Sequence, residues 1–300
     1  KQAALAVGMV NTGTITEPGT GAFAASVLRR SMHEEIALRI FESGAEVILG
    51  GGEKFFLPEG VAGVHGVGVR EDGRNLVEEA RAEGYTVVRT RDELLALPVT
   101  TTRVLGLFAE YHTFNDEPEA TLAAAGLEPY DPAAPTYAEM VAAALEVLER
   151  SGRRFFLVAE EEGSDNLPNS NNATGALEAG RRADEAIGVV RRFITRNPET
   201  LLVLTSDSDA GGMQVLEGQA TEGRANSTSR NGAPLDGVEG ENGQLFLSAP
   251  DAQGIRYPFA IAWTSYSDVS GGILIRAEGL GAERVRGTMD NTEVYEVMSR

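Results

Sequence analysis

Cysteine is absent from this chain of 300 residues, and lysine stands only at positions 1 and 54. Without thiols there is no disulfide framework, no thiolate nucleophile and no thiolate metal site. Basic charge is short: 26 Lys and Arg face 45 Asp and Glu, a net charge of −19. Nucleic acid and anionic membrane both need a basic face, so this balance argues against either as a partner. No apolar run approaches the roughly 20 residues that span a bilayer. No signal peptide is visible. The chain opens on Lys1 rather than Met, a few residues before a strand-like run, and so reads as a mature or partial product.

A hydrophobic fraction of 42% is ample for a core, and the length suits one large α/β domain with insertions. Leu5 to Val10, Glu46 to Gly50, Tyr85 to Arg89 and Val104 to Phe108 read as strands, and Ala22 to Ser43 and Arg74 to Gly84 as helices. Thr136 to Arg150 carries Met140, Ala143, Ala144, Val147 and Leu148 at helical spacing. Phe155 to Ala159 and Leu201 to Thr205 are near-continuous apolar runs, as in parallel strands covered on both faces. Between them Ala173 to Arg196 forms an apolar stripe that Asn197-Pro198 stops. Pro258 to Trp263 and Ile273 to Ala277 are late strands. From about 214 to 253 the chain is rich in Gly, Asn, Ser and Glu without periodicity, which reads as a lid-like surface excursion. No domain break is evident.

Two apolar runs end in acids and amides: Glu160-Glu-Glu-Gly-Ser-Asp165 with Asn169, Asn171 and Asn172 beyond it, and Asp207-Ser208-Asp209 before Gly211-Gly212. In open α/β sheets ligands bind beyond the carboxyl ends of strands. A right-handed strand–helix–strand crossover would set both loops on one sheet edge. Glu160 and Asp165 would then share a cation site, Gly163 allowing the bend between them. Asp268, in Trp263-Thr-Ser-Tyr-Ser-Asp268, tips a third strand. Blander readings stand beside these. A Glu run in so acidic a chain is commonly a solvated surface, the asparagines can cap the next helix, and Asp207-Ser208 can be an Asx turn. Arg30 can clamp a phosphate through its guanidinium fork, or with Arg29 simply be surface. His33, His65 and His112 lie outside these clusters in the sequence, and Gly50-Gly-Gly52 lacks the full dinucleotide fingerprint.

With these residues in hand, the chain resembles the bacterial alkaline phosphatase family over nearly its whole length. The ordered markers are Asn11-Thr-Gly-Thr-Ile-Thr-Glu17-Pro-Gly-Thr-Gly-Ala-Phe23, Arg30, Ala45 to Gly52, Asp72 to Leu76 with Gly84-Tyr85, Val104 to Phe108, Glu160 to Asp165, Gly175 to Glu178, Asp184 to Gly188, Thr200 to Thr205 and Asp207 to Gly212. The resemblance implies a three-layer α/β/α sandwich with a central, mostly parallel sheet, here one domain over 1–300 that is incomplete at its N-terminus. It implies hydrolysis of a phosphomonoester, as the phosphate ester substrate, through a covalent phospho-enzyme, two zinc ions and a magnesium ion, a homodimer, and a periplasmic or extracellular location. By motif, Glu160 matches the magnesium-binding Glu, Asp165 and Asp207 zinc-binding aspartates, and Arg30 the phosphate-binding Arg.

The departures are systematic. Asn169 and Ser208 stand where the family has zinc-binding histidines, Asp268 lies in the segment of a third, and Gly19 stands at the magnesium-site Thr with Thr20 beside it. Zinc favours imidazole and thiolate, whereas carboxylate, carbonyl and hydroxyl suit magnesium or calcium. The expected metal set is therefore Glu160, Asp165, Asn169, Asp207, Ser208 and Asp268, holding magnesium or calcium in preference to zinc. The family's nucleophile lies on a segment upstream of Lys1, so a companion N-terminal segment is expected to carry it. A catalytically inactive metal-binding relative, and a phosphodiesterase or sulfatase of the same superfamily, are the alternatives.

Overall fold

The apolar start of the chain forms β1 (Ala6–Thr14), buried along almost its whole length. The computed structural model describes residues 5–217 and 246–299. After β1 come α1 (Pro18–Gly21), α2 (His33–Glu42), β2 (Val47–Gly51), α3 (Leu76–Ala82), β3 (Thr86–Val88), α4 (Arg91–Leu95), β4 (Val104–Leu107), α5 (Glu119–Ala125), α6 (Tyr137–Arg150) and β5 (Phe155–Glu160). Then follow α7 (Gly163–Asn169), α8 (Ala173–Arg196), β6 (Leu201–Leu204), β7 (Gln214–Glu217), β8 (Phe246–Leu247), β9 (Pro258–Ala262), β10 (Arg276–Gly279) and α9 (Asn291–Ser299). The described residues gather into two compact units: those within 1–116, 122–163 and 178–186 form the first, and those within 117–121, 164–177 and 187–300 the second.

The first unit is a five-stranded, all-parallel sheet in the order β3-β4-β2-β1-β5. Period-two alternation sends neighbouring residues of β1 to opposite faces. Met9 joins Ile36, Ile40 and Phe41 of α2 and Leu76, Val77 and Ala80 of α3 in one core. On the other face Leu148 of α6 lies over Gly8. Helices on both faces of a parallel sheet make the three-layer α/β/α sandwich that the near-continuous apolar strands require. Side chains of Thr136 and Glu139 close a capping box on α6, and those of Thr90 and Glu93 do so on α4.

Three expectations need correction. The helix expected over 22–43 is confined to α2, and residues 22–32 form no regular element. Ala24, Ala25 and Val27 pack on the sheet core, while Leu28 is 95% exposed, so these apolar residues share no single helical face. The late strand expected at 273–277 forms at Arg276–Gly279. Finally, among the described residues β5 and β6 do not join one sheet through α8. β6 pairs antiparallel with β10, Leu201 opposite Gly279 and Leu204 opposite Arg276, and among the described residues β5 closes the parallel sheet at its edge. An apolar run specifies that a strand is covered, not which strand it bonds, and β10 gives a four-residue strand a complete antiparallel ladder. The inference that a shared sheet edge brings the two acid loops together therefore falls away.

In the second unit β7, β9 and β8 form an antiparallel sheet, so the 214–253 excursion begins in a strand and contains another at Phe246–Leu247. Residues 218–245 of that excursion lie outside the described residues. Trp263 and Ile261 pack with Ala173 beneath this sheet, joined by Met213, Phe246 and Phe259.

Candidate active site

β1 and β5 end side by side, with Asn11 in register opposite Glu160. From β1 the chain moves to β2 on one side, while β5 adds on the other, so this crevice is the switch point at which open sheets take ligands. A buried polar cluster fills it. Asn11 Nδ2 donates to Glu160 Oε2 at 2.5 Å and to Thr20 Oγ1 at 3.2 Å, and Asn11 Oδ1 accepts from Gly13 N at 2.6 Å. Thr20 Oγ1 donates to the Ile15 carbonyl at 2.9 Å. A Cβ at position 19 would overlap Glu160 Oε1, so glycine there opens the space that carboxylate occupies.

Next along the chain, Glu161 is 7% exposed. Its Oε1 accepts from Tyr130 Oη at 2.7 Å, Thr12 Oγ1 at 2.8 Å and Gly163 N at 3.2 Å. Burial pushes its carboxyl up to about 7, against the downward pull of these donors and of Arg182. Burial and the facing Glu161 keep the Tyr130 phenol neutral. Thr12 Oγ1 also accepts from Glu162 N at 2.9 Å. Gly163 is needed for the approach of Tyr130, whose hydroxyl a Cβ would strike, rather than for a left-handed bend.

Arg30 lies in the irregular segment before α2, its side chain 68% exposed, with Nη2 on Glu17 Oε2 at 2.7 Å. Nearby, His33 Nδ1 meets Thr16 Oγ1 at 2.8 Å, and burial lowers the imidazole's pKa. Burial, with the positive charges of His33 and Lys54, pushes His112 down to about 4, and its Nδ1 accepts from Thr14 N at 3.1 Å. His65 Nε2 donates to the Arg89 carbonyl at 2.8 Å.

The second unit assembles another set. Asn169, at the end of α7, donates through Nδ2 to Asp165 Oδ1 at 3.0 Å and to Asp268 Oδ1 at 2.9 Å. Asn169 Oδ1 accepts from Gly211 N at 2.9 Å. The loop after β6 joins through an antiparallel bridge between Asp209 and Val269. Within that loop Asp207 is exposed and Ser208 half-buried. Asn172, by contrast, caps α8, accepting from Gly175 N at 2.7 Å.

Asp165, Asn169 and Asp268 thus come together, and Glu160 sits in the first unit's cluster. Asn11, Thr12, Tyr130 and Glu161 belong to that cluster and escaped the sequence reading. The polar tail of β1 was the visible signal for Asn11 and Thr12, whereas nothing local marks Tyr130, which arrives from 31 residues before its carboxylate partner. Among the described residues no three His, Asp or Glu side chains converge tightly enough to hold a metal by themselves.

The sequence profile of the alkaline phosphatase family matches residues 1–300. The chain belongs to that family. The repressible alkaline phosphatase of Saccharomyces cerevisiae is 30% identical over 234 residues, 71% of this chain and 39% of the yeast protein. The chain therefore spans well under half the length of that relative. The crystal structure of Thermus thermophilus alkaline phosphatase superposes with a TM-score of 0.73 at 28% identity, covering 98% of this chain and 70% of the other. A histidine-to-aspartate variant of the alkaline phosphatase from the Antarctic bacterium TAB5, with Mg bound in its M3 site, superposes with a TM-score of 0.66 at 19% identity, covering 98% and 71%. The alkaline phosphatase fold is thereby shown for this chain.

The two sets fit the family's metals unequally. Glu160 suits a small hard cation: its carboxylate stands in a cradle that any side chain at position 19 would fill, beside the Thr20 hydroxyl. Neither set contains the imidazole that zinc prefers. In the Asp165–Asn169–Asp268 set an amide nitrogen faces the carboxylates, and an amide nitrogen is not a ligand.

Proposed function

We infer that this chain is part of a phosphomonoester hydrolase of the alkaline phosphatase type, acting at the carboxyl ends of β1 and β5. The observation that carries this reading is the cluster of buried Asn11 and Thr20 with half-buried Glu160 at the switch point, Gly19 leaving room for the carboxylate. Glu160 and Thr20 are the residues that would hold magnesium, and the magnesium of the TAB5 variant supports that preference. The cation, when bound, would neutralise charge developing on the phosphoryl oxygens. Arg30 supplies a planar fork for two phosphate oxygens, and Glu17 aims it through the 2.7 Å ion pair.

The nucleophile is proposed to come from a segment outside these 300 residues. The half-buried apolar strand β5, at the sheet edge among the described residues, supports a neighbouring strand there. A homodimer and a periplasmic or extracellular setting follow from the family and belong to the same proposal. Among the described residues no helix is long and apolar enough to cross a membrane.

The test is phosphate release from p-nitrophenyl phosphate by the full gene product, with bis(p-nitrophenyl) phosphate and p-nitrophenyl sulfate as competitors for the reading. Monoester turnover that EDTA abolishes and magnesium restores is expected, with Glu160→Gln losing at least about tenfold in rate and its bound magnesium. Preferred turnover of the diester or sulfate would sink it. A silent, metal-binding relative is the second reading, favoured by Asn169 and Ser208 standing where the family resemblance places zinc-binding histidines. Magnesium-dependent stabilisation without turnover of any of the three substrates would select it.

A further inference from the structure

The amide of Asn169 has its orientation fixed from outside. Gly211 N–H points at one end of it from 2.9 Å, and a backbone N–H can meet only an acceptor, so that end is Oδ1. The other end is then the NH2 group, and its two hydrogens are used on two carboxylates, Asp165 at 3.0 Å and Asp268 at 2.9 Å. Turning the amide over would place its oxygen against both carboxylates and leave the Gly211 N–H facing another donor. The nitrogen lone pair is delocalised into the carbonyl and has none of the ligand character of the imidazole that the family resemblance expects at this position.

The surrounding backbone holds this arrangement. Gly211 has φ of 65°, and a Cβ there would strike the Pro168 carbonyl oxygen. Its own carbonyl accepts from Thr264 N at 2.9 Å and Ser265 N at 3.1 Å, while Asn171 Nδ2 donates to the Ser265 carbonyl at 2.9 Å.

We propose that Asn169 is a metal-free clamp: its amide stands in for a divalent cation between Asp165 and Asp268, tying the end of α7 to the loops that follow β6 and β9. This departs from the ligand set that the resemblance implies, since Asp165, Asn169 and Asp268 then hold no metal. Two N–H donors carrying partial positive charge neutralise the carboxylates in part, and charge-assisted bonds of this kind are among the stronger ones in proteins. The clamp does not rest on the phosphatase reading, and its test reads no activity.

Trp263, 2% exposed and the only tryptophan in the chain, reports the second unit by its fluorescence. The full chain and its variants are stripped with EDTA, equilibrated with zinc, magnesium or calcium, and assayed for bound metal and for the melting midpoint of Trp263 fluorescence. Asp268→Asn is expected to bind as much of each metal as the unaltered chain. Asn169→Ala is expected to melt about 5 °C lower with every metal and with none. One metal ion fewer per chain in Asp268→Asn overturns the proposal, as does an Asn169→Ala variant that melts like its parent. Should Asn169→Ala not fold, the metal count of Asp268→Asn decides alone.

Discussion

His112 shows how a single side chain acquires a property its sequence position does not announce. Its ring stacks on Phe114 at 4.9 Å, and its Nδ1 is tied to Thr14 N, so the fold keeps the imidazole neutral. The folded pKa of about 4 lies below the ordinary 6.5. The folded state therefore binds fewer protons than the unfolded chain between those values. Stability from this group is full above pH 6.5 and is lost as the pH falls towards 4, by at most about 3 kcal/mol. Urea denaturation at pH 7 and at pH 4 checks it: His112→Gln should lose less stability across that interval than its parent. An equal loss would show that other groups carry the acid sensitivity.

Residues differ sharply in how far the sequence foretells them. Glu160 is legible because it ends an apolar strand, and so is the gathering of Asp165, Asn169 and Asp268 through the family pattern. What Asn169 does there is not legible. The same amide can offer an oxygen or two hydrogens, and only the Gly211 N–H decides between them.

At the scale of elements, α6 and α8 are the most legible, because their limits are written in local chemistry. The span of α8, Ala173–Arg196, is the expected one, with Asn172 as its cap and Asn197-Pro198 after its end. Asn172 is wholly buried, and besides receiving Gly175 N it donates to the Glu117 carbonyl at 3.0 Å. Asn172→Ala should therefore destabilise by about 1–2 kcal/mol, the upper end of the range for a lost cap. Urea denaturation followed by circular dichroism would show it, and a change within error would mean that water replaces the cap. Strands were read well as segments and poorly as pairs. The apolar run of β6 announces a strand, yet its antiparallel ladder with β10 depends on residues some 70 positions later in the chain.

For the whole molecule the governing quantity is the net charge of −19. Arg–Glu pairs spaced three or four apart, such as Arg39 with Glu35 and Glu42 and Arg181 with Glu178 and Glu185, relieve it only locally. Exposed pairs of this sort contribute little each. Acidic side chains remain in excess, so raising sodium chloride from about 10 mM to about 1 M should screen their repulsion and raise the melting temperature. A fall in melting temperature would mean that the ion pairs matter more than the excess charge.

By itself the sequence determined the α/β class, the parallel character of the main sheet, the spans of α6 and α8, and the family. Each of these follows from apolar periodicity, capping residues or ordered motifs, all short-range in the chain. Tertiary structure alone decided the partner of β6, the irregular path of residues 22–32, the Tyr130 and Thr12 donors on Glu161, and which end of Asn169 meets the carboxylates. Those depend on atoms that folding brings together from distant positions, and a hydrogen bond has no direction until both of its partners are in place.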